Sequence, residues 1–348
     1  MQPEAFTRKC TVRSATGMEN RVQWKERKSF RLVFIAILAG LAVIAFALGN
    51  SKGTVEVGVS RIIDVILHDD GSMERMVIWN IRLPRMILAA LVGINLALAG
   101  AILQGVMSNP LADPGIIGIS SGAGLFGIII LVIFPEYQQF VPLAAFCGAM
   151  LAAFIIYILA WKGGIQPIRI ILAGVAVSAL FGAGISATLV FYSDRVHGAL
   201  TFMNGSLSAR SWPEVQTILP YTIICALLVF ILSEKLNLLL LGDDAARGLG
   251  LHVEATRLGF TALAALLAAS AVSVVGLLGF VGLIVPHSVR LIIGNDYKYM
   301  LPASALFGAV LVMFSDTFAR TIFSPTEIPV GIVMAVLGAP FFLYLLRR

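Results

Sequence analysis

Charged residues are scarce in this sequence. Asp, Glu, Lys and Arg make up 13% of its 348 residues, while hydrophobic side chains make up 59%. A soluble domain of that length needs far more polar surface, so the scarcity excludes one and points to an all-α polytopic membrane protein. Cysteine is rare too: Cys10, Cys147 and Cys225 are scattered, two of them within apolar runs, and provide neither a disulfide framework nor a metal-ligand spacing. His68, His197, His252 and His287 are equally far from ligand spacing, so no metal is expected. No G-x-x-x-x-G-K-[ST] segment occurs, which excludes ATP hydrolysis by this chain on its own. Within the apolar runs no nucleophile and base lie at a catalytic spacing, so an intramembrane enzyme has no basis. The net charge of +6 would suggest nucleic acid in a soluble protein; here the placement of Lys and Arg around membrane spans accounts for it, and no nucleic-acid partner is expected.

What the sequence has in quantity is long apolar runs. At about twenty residues per crossing, they fall at 30–48, 86–106, 116–134, 141–161, 168–192, 215–232, 255–275, 276–293, 301–323 and 329–346, predicting ten transmembrane helices in a domain spanning 30–348. The boundary between the seventh and eighth is marked only by Gly276 and Gly279. Residues 1–29 form a basic tail without hydrophobic periodicity, and Met18 offers a second possible translation start within it. With that tail in the cytoplasm, both termini are cytoplasmic and most Lys and Arg fall on the inner side. Helices 2–5 and 7–10 then begin on opposite sides of the membrane, which permits an inverted repeat of four helices each.

Five stretches interrupt the apolar pattern. Gly242 to Leu251, GDDAARGLGL, is a polar island in a cytoplasmic loop at 234–255. Asp243 and Asp244 can cap a short helix, Ala245, Ala246 and Arg247 can continue it, and Gly248 and Gly250 can stop it. Before the second helix, WNIRLPR places Arg82 and Arg85 three apart on the outer side, with Pro84 suited to a helix start. After that helix, QGVMSNPLADPGIIG holds two prolines close together, Pro110 and Pro114, which bar a continuous helix and make this turn a candidate gate. GFVGLIVPHSVR brings His287 and Arg290 to the inner end of the eighth helix, where a structural or interface duty is expected. Asp316 and Arg320, four apart in the ninth helix, are expected to pair within it, followed by an outer turn containing Glu327.

These pieces resemble the FecCD-type permeases of binding-protein-dependent ABC importers, the carriers of iron(III)-siderophores, haem and vitamin B12. The matching segments are IRLPR, GAILQGVMSNPLADPGIIGISSGA, RIILAGVAVS, GDDAARGLGL, GFVGLIVPHSVR and EIPVGIVMAVLGAPFFLYLL, in family order and spread over nearly everything after residue 30. The resemblance implies a fold like that of the vitamin B12 permease and a chain that pairs with a second permease, identical or homologous. It also implies two ATPase subunits that hold ATP and Mg, and an extracytoplasmic substrate-binding protein. The setting would be lipid of a bacterial cytoplasmic membrane, with no cofactor held by this chain. Residue by residue, it implies that Arg82, Arg85 and Arg320 face acidic residues of the binding protein. The stretch Gly242, Asp243, Asp244, Ala245, Ala246, Arg247, Gly248, Leu249 and Gly250 becomes the loop seated on the ATPase. Asn109, Pro110 and Leu111, with Gln166, Pro167 and Ile168, become the inner constriction. The last turn departs from the small hydroxylated residues of the vitamin B12 permease, which weighs against that cargo without naming another; an iron(III)-siderophore is expected because it is the commonest cargo the resemblance implies, with vitamin B12 or haem as the alternative. An ion-coupled secondary transporter is the rival from another class, for which Asp316 alone is a thin basis.

Overall fold

The computed structural model describes residues 27–52, 58, 61–62, 64, 71–161, 167–324 and 326–347. The basic tail up to residue 26, with Met18, and Gln166, expected at the inner constriction, lie outside the described residues. Among those described, the regular structure is helical. Ten apolar helices follow the ten runs of the sequence: α1 (Lys28–Ser51), α2 (Leu83–Val106), α3 (Ile119–Ile133), α4 (Val141–Ala160), α5 (Pro167–Phe191), α6 (Trp212–Ile231), α7 (Val253–Val275), α8 (Val281–Ile293), α9 (Tyr297–Thr321) and α10 (Val330–Leu346).

Seven helical segments are long and apolar enough to cross a membrane; α3, α8 and α10 are shorter than the expected spans. The reasons are local. Gly118, at φ 98°, ends a short helix at Pro114–Ile117 and starts α3 afresh, three residues later than the run begins. The eighth run, expected from residue 276, turns helical only at Val281. Gly276 (φ 86°) and Phe280 (φ 68°) both leave the right-handed region, so the backbone between them cannot be helix. The second run departs the other way. It continues upstream through a π-turn at Ile78–Arg82 into a short helix at Met73–Val77. Pro84 falls at the start of α2, as the sequence suggests, but the helical path continues upstream of it. Having no amide, Pro84 cannot bond Asn80, and the turn before it widens so that the Leu83 amide reaches the Ile78 carbonyl.

α2 is the central column, buried along nearly its whole length, because α9, α7, α8, α6 and α1 all pack on it. A helix apolar all round belongs in such a place. With no hydrophobic force to join helices in lipid, close approach depends on small side chains. Gly93 of α2 and Gly308 of α9 meet backbone to backbone, so that a methyl group on either would overlap the other's carbonyl. Large apolar side chains lie outside instead, Phe191 being 81% and Val43 70% exposed, the reverse of a soluble protein and the pattern of a lipid-facing surface. The pairs α2·α9, α2·α8, α3·α4 and α3·α5 have the counterparts α7·α4, α7·α3, α8·α9 and α8·α10, obtained by exchanging helices 2–5 for 7–10.

Candidate functional site

Polar chemistry collects in three places. The first is at the end of the bundle where α1 and α9 finish and α2 begins. Arg85 is buried and lies 2.9 Å from Asp316 and 2.9 Å from Glu327. Its Nε and Nη2 donate to the two Asp316 oxygens, and its Nη1 donates to the Glu327 carboxylate. Ser208 donates to the same Glu327 at 2.7 Å. Arg82 donates to the carbonyls of Asn50 and Ser51, and Arg320 to that of Gly49. These carbonyls belong to the last turn of α1, where no helical donor remains and a cation is favoured by the helix dipole. The expected pairing of Asp316 with Arg320 within α9 is therefore not what forms: each bonds across to another helix. Arg82, Arg85 and Arg320 are 4%, 6% and 8% exposed, so within this chain they are buried groups joining α1, α2, α9 and the turn before α10. Ser208, in a polar turn, gave no signal in the sequence.

Burial by itself would raise the Glu327 carboxyl, but the Ser208 hydroxyl and the charge of Arg85 outweigh it and hold it below the ordinary glutamate value. A carboxylate depressed on folding adds stability above its unfolded pKa, roughly 4.3, and loses that contribution as pH falls through the lower folded value. The melting temperature of the wild type in detergent should therefore exceed that of Glu327→Gln by a constant margin at neutral pH, and the margin should vanish in acid below the ordinary glutamate range.

The second place is the turn between α2 and α3. Asn109 accepts from the Leu111 amide at 2.9 Å, an Asx turn, and Asp113 accepts from the Gly115 amide at 2.7 Å, capping the helix Pro114–Ile117. Pro110 is exposed at the tip of the turn, and Leu111 and Asn109 are half-buried beside it. The turn is held to the rest by Gln104, whose Nε2 donates to the Gly282 carbonyl at 3.2 Å. The short helix after the turn packs on α5, with Ile117 against Gly174. α5 begins at Pro167, and Ile168 is 68% exposed, so the two stretches named as the constriction sit on adjoining elements. A cavity of about 310 Å³ lies between Asp113, Gly115, Gly279, Phe280, Leu283 and Phe342, where the turn, the break before α8 and α10 meet.

The third place is at the opposite end of the bundle. Asp243–Gly248 is a short helix, as the sequence suggested, but Asp243 does not cap it. Gly242 occupies that position, and Asp243 forms a 2.8 Å pair with the buried Arg257 of α7. Arg247 pairs with Glu254 at 2.7 Å. Ala246 is fully buried beneath the helix, and Gly250 at φ 83° closes it, with the Leu251 amide reaching the Ala246 carbonyl. Asp244 and Leu249 face outward, Leu249 being 62% exposed. The helix is a knob tied to the start of α7 by two ion pairs.

His287 of α8 meets Phe341 of α10 in an edge-on ring contact, centroids 6.0 Å apart, and among the described residues no cluster of His, Cys, Asp or Glu could hold a metal.

A bundle of apolar helices with an apolar exterior and its buried ion pairs gathered at its two ends is a multi-pass membrane protein. Residues 41–348 match the model of the FecCD transport family, and the chain belongs to that family. It is 43% identical over 317 residues to the Fe(3+)-citrate import system permease protein YfmE of Bacillus subtilis, covering 91% of this chain and 95% of that one. It is 42% identical over 275 residues to the cobalamin import system permease protein BtuC of Halobacterium salinarum, covering 78% of this chain and 74% of that one. Among solved structures, an inward-facing metal-chelate-type ABC transporter superposes with a TM-score of 0.81 at 28% identity, covering 90% of this chain and 98% of that one.

Proposed function

We propose that this chain is the permease subunit of an ATP-driven importer that takes an iron(III) chelate across the bacterial cytoplasmic membrane. The observation behind this reading is the knob at Asp243–Gly248. It is tied to α7 by two ion pairs and exposed on its outer face, in a chain with no nucleotide-binding motif of its own. A lever of that form suits a partner that supplies force, and two ATPase subunits holding ATP and Mg are that partner. The chain itself has no enzymatic step. It works beside a second permease, with both termini in the cytoplasm and a substrate-binding protein docked on the arginine end. At that end Arg82, Arg85 and Arg320 shape the docking floor through the chain ends they tie together. The turn at Asn109, Pro110 and Leu111, with the start of α5, forms the inner gate.

All ten helices cross in this reading, as two inverted four-helix repeats, for which the exchange symmetry of the packing pairs is the support. The thirteen residues of α8 rise only about 20 Å, and the non-helical backbone at 276–280 completes the crossing. Such backbone is tolerated at membrane depth where it is enclosed by protein or lines a water-filled cavity. Relatives named for iron(III) citrate and for cobalamin are almost equally identical to this chain. The iron(III) reading is preferred because the resemblance to that relative extends over more of both chains.

Uptake of radiolabelled iron given as a panel of chelates, in a strain lacking this chain, tests the cargo. Uptake of one iron chelate should fall to background and return with the gene. Uptake unchanged for all of them, with loss of cobalamin uptake instead, overturns the iron reading. Transport by the purified chain without any ATPase overturns the importer.

A further inference from the structure

The polar knob and the gate turn lie on different elements, and neither contacts the other through the ion pairs described above. A second network joins them. The short helix Ser233–Leu239, just before the knob, packs against α2, α9 and the knob itself. From it Asn237 reaches α9 with both ends of its amide: Nδ2 donates to Asp296 at 3.0 Å, and Oδ1 accepts from the Tyr297 amide at 2.9 Å. Asp296 is held from its other oxygen by Arg31 of α1, at 2.9 Å, and Arg31 also donates to the Ile293 carbonyl at the end of α8. Tyr297 then turns inward. Its side chain is fully buried, its hydroxyl donates to the Ala101 carbonyl of α2 at 3.2 Å, and the ring tip lies where a side chain on Gly105 would have to be. One residue before Gly105, Gln104 holds the gate: its carbonyl accepts from the Asn109 amide, and its side chain reaches Gly282 of α8.

We infer that Tyr297 is the positioning residue through which movement of the knob reaches the gate, with Asn237 as its link to the knob. The inference deepens the importer reading and rests on it. A hydroxyl fixed on one α2 carbonyl, one turn before the gate, passes a displacement of the start of α9 directly to the last turn of α2. Gly105 leaves no side chain to cushion that contact.

The test uses the assembled complex in which Cys10, Cys147 and Cys225 are replaced by Ser and position 109 carries the only cysteine of this chain (Asn109→Cys). Maleimide labelling there is compared between the nucleotide-free state and the state trapped with ATP and vanadate. Without a further change, labelling should differ between the two states. In Tyr297→Phe, which keeps the ring and loses the hydroxyl's bond to the Ala101 carbonyl together with the longer one it accepts from Arg290, that difference should shrink about fivefold or more while the complex still assembles and hydrolyses ATP. A labelling difference preserved in Tyr297→Phe overturns the inference, and so does a parallel fall of labelling difference and ATP hydrolysis, which a merely structural residue would produce. If Tyr297→Phe yields too little complex, Asn237→Ala is measured against the same outcomes. A complex in which position 109 never responds to ATP sinks the importer reading itself, and the inference with it.

Discussion

Replacing Arg85 by Ala should cost the folded bundle about 3–5 kcal/mol, because it leaves Asp316 as a buried carboxylate stripped of its guanidinium. Asp316 is 1% exposed at its side chain and Arg85 7%, so water cannot take over the lost contact. The loss should appear as a large drop in melting temperature in detergent and a lower yield of folded protein. Asp316→Ala should do comparable damage by stranding the arginine. The two single changes share one interaction, so the double variant should be less destabilised than their sum, and filling both positions with apolar side chains should recover part of the loss. Charge reversal at Arg85 is predicted to be worse still, as it would gather three carboxylates at one place. The result separates two roles. If Arg85→Ala melted like the wild type and lost only the capture of a loaded binding protein, Arg85 would be a docking residue and not a clamp.

The second large effect is expected at the other end. Substituting a flexible Gly-Ser stretch for Asp243 to Arg247 should remove ATP-driven uptake altogether and reduce recovery of the ATPase with the purified permease by tenfold or more, about 1.4 kcal/mol or above in binding. The bundle itself should stay folded, since the neighbouring short helix remains tied to α9 by Asn237 and α7 keeps its buried face. Capture of the loaded binding protein at the arginine end should survive. Two narrower changes divide the effect. Leu249→Glu alters only the exposed face and should weaken attachment of the ATPase. Asp243→Ala cuts the strap to Arg257 and should leave attachment nearly intact while lowering transport per ATP hydrolysed. Equal uptake by the Gly-Ser variant and the wild type would remove the knob from the mechanism.

Several features were legible before any coordinates. Apolar runs separated by polar breaks gave the helices to within a few residues at most boundaries, because a membrane segment must be both long and apolar. The short polar helix at Asp243–Gly248 was readable from its composition, and the turn after α2 from two prolines that forbid a helix. The errors have physical causes. Pro84 marks the start of α2 as expected, but the helical path upstream of it escapes the pattern, because a π-turn lets a helix run up to a proline. The eighth helix was drawn too long because hydropathy does not register that Gly276 and Phe280 adopt left-handed backbone. Asp316 and Arg320 were paired because they are four apart, while the closer competitors were Arg85, 231 residues away, and the carbonyls ending α1.

By itself, then, the sequence determined that this is a helical membrane protein, where its apolar helices lie, and which short segments interrupt them. Composition and periodicity are local quantities, and each helix closes its own backbone hydrogen bonds. Only the tertiary structure decided which charges meet. A buried ion in a low-dielectric interior takes whichever partner the packing of α1, α2 and α9 brings within reach, and nothing in the spacing along the chain encodes that distance.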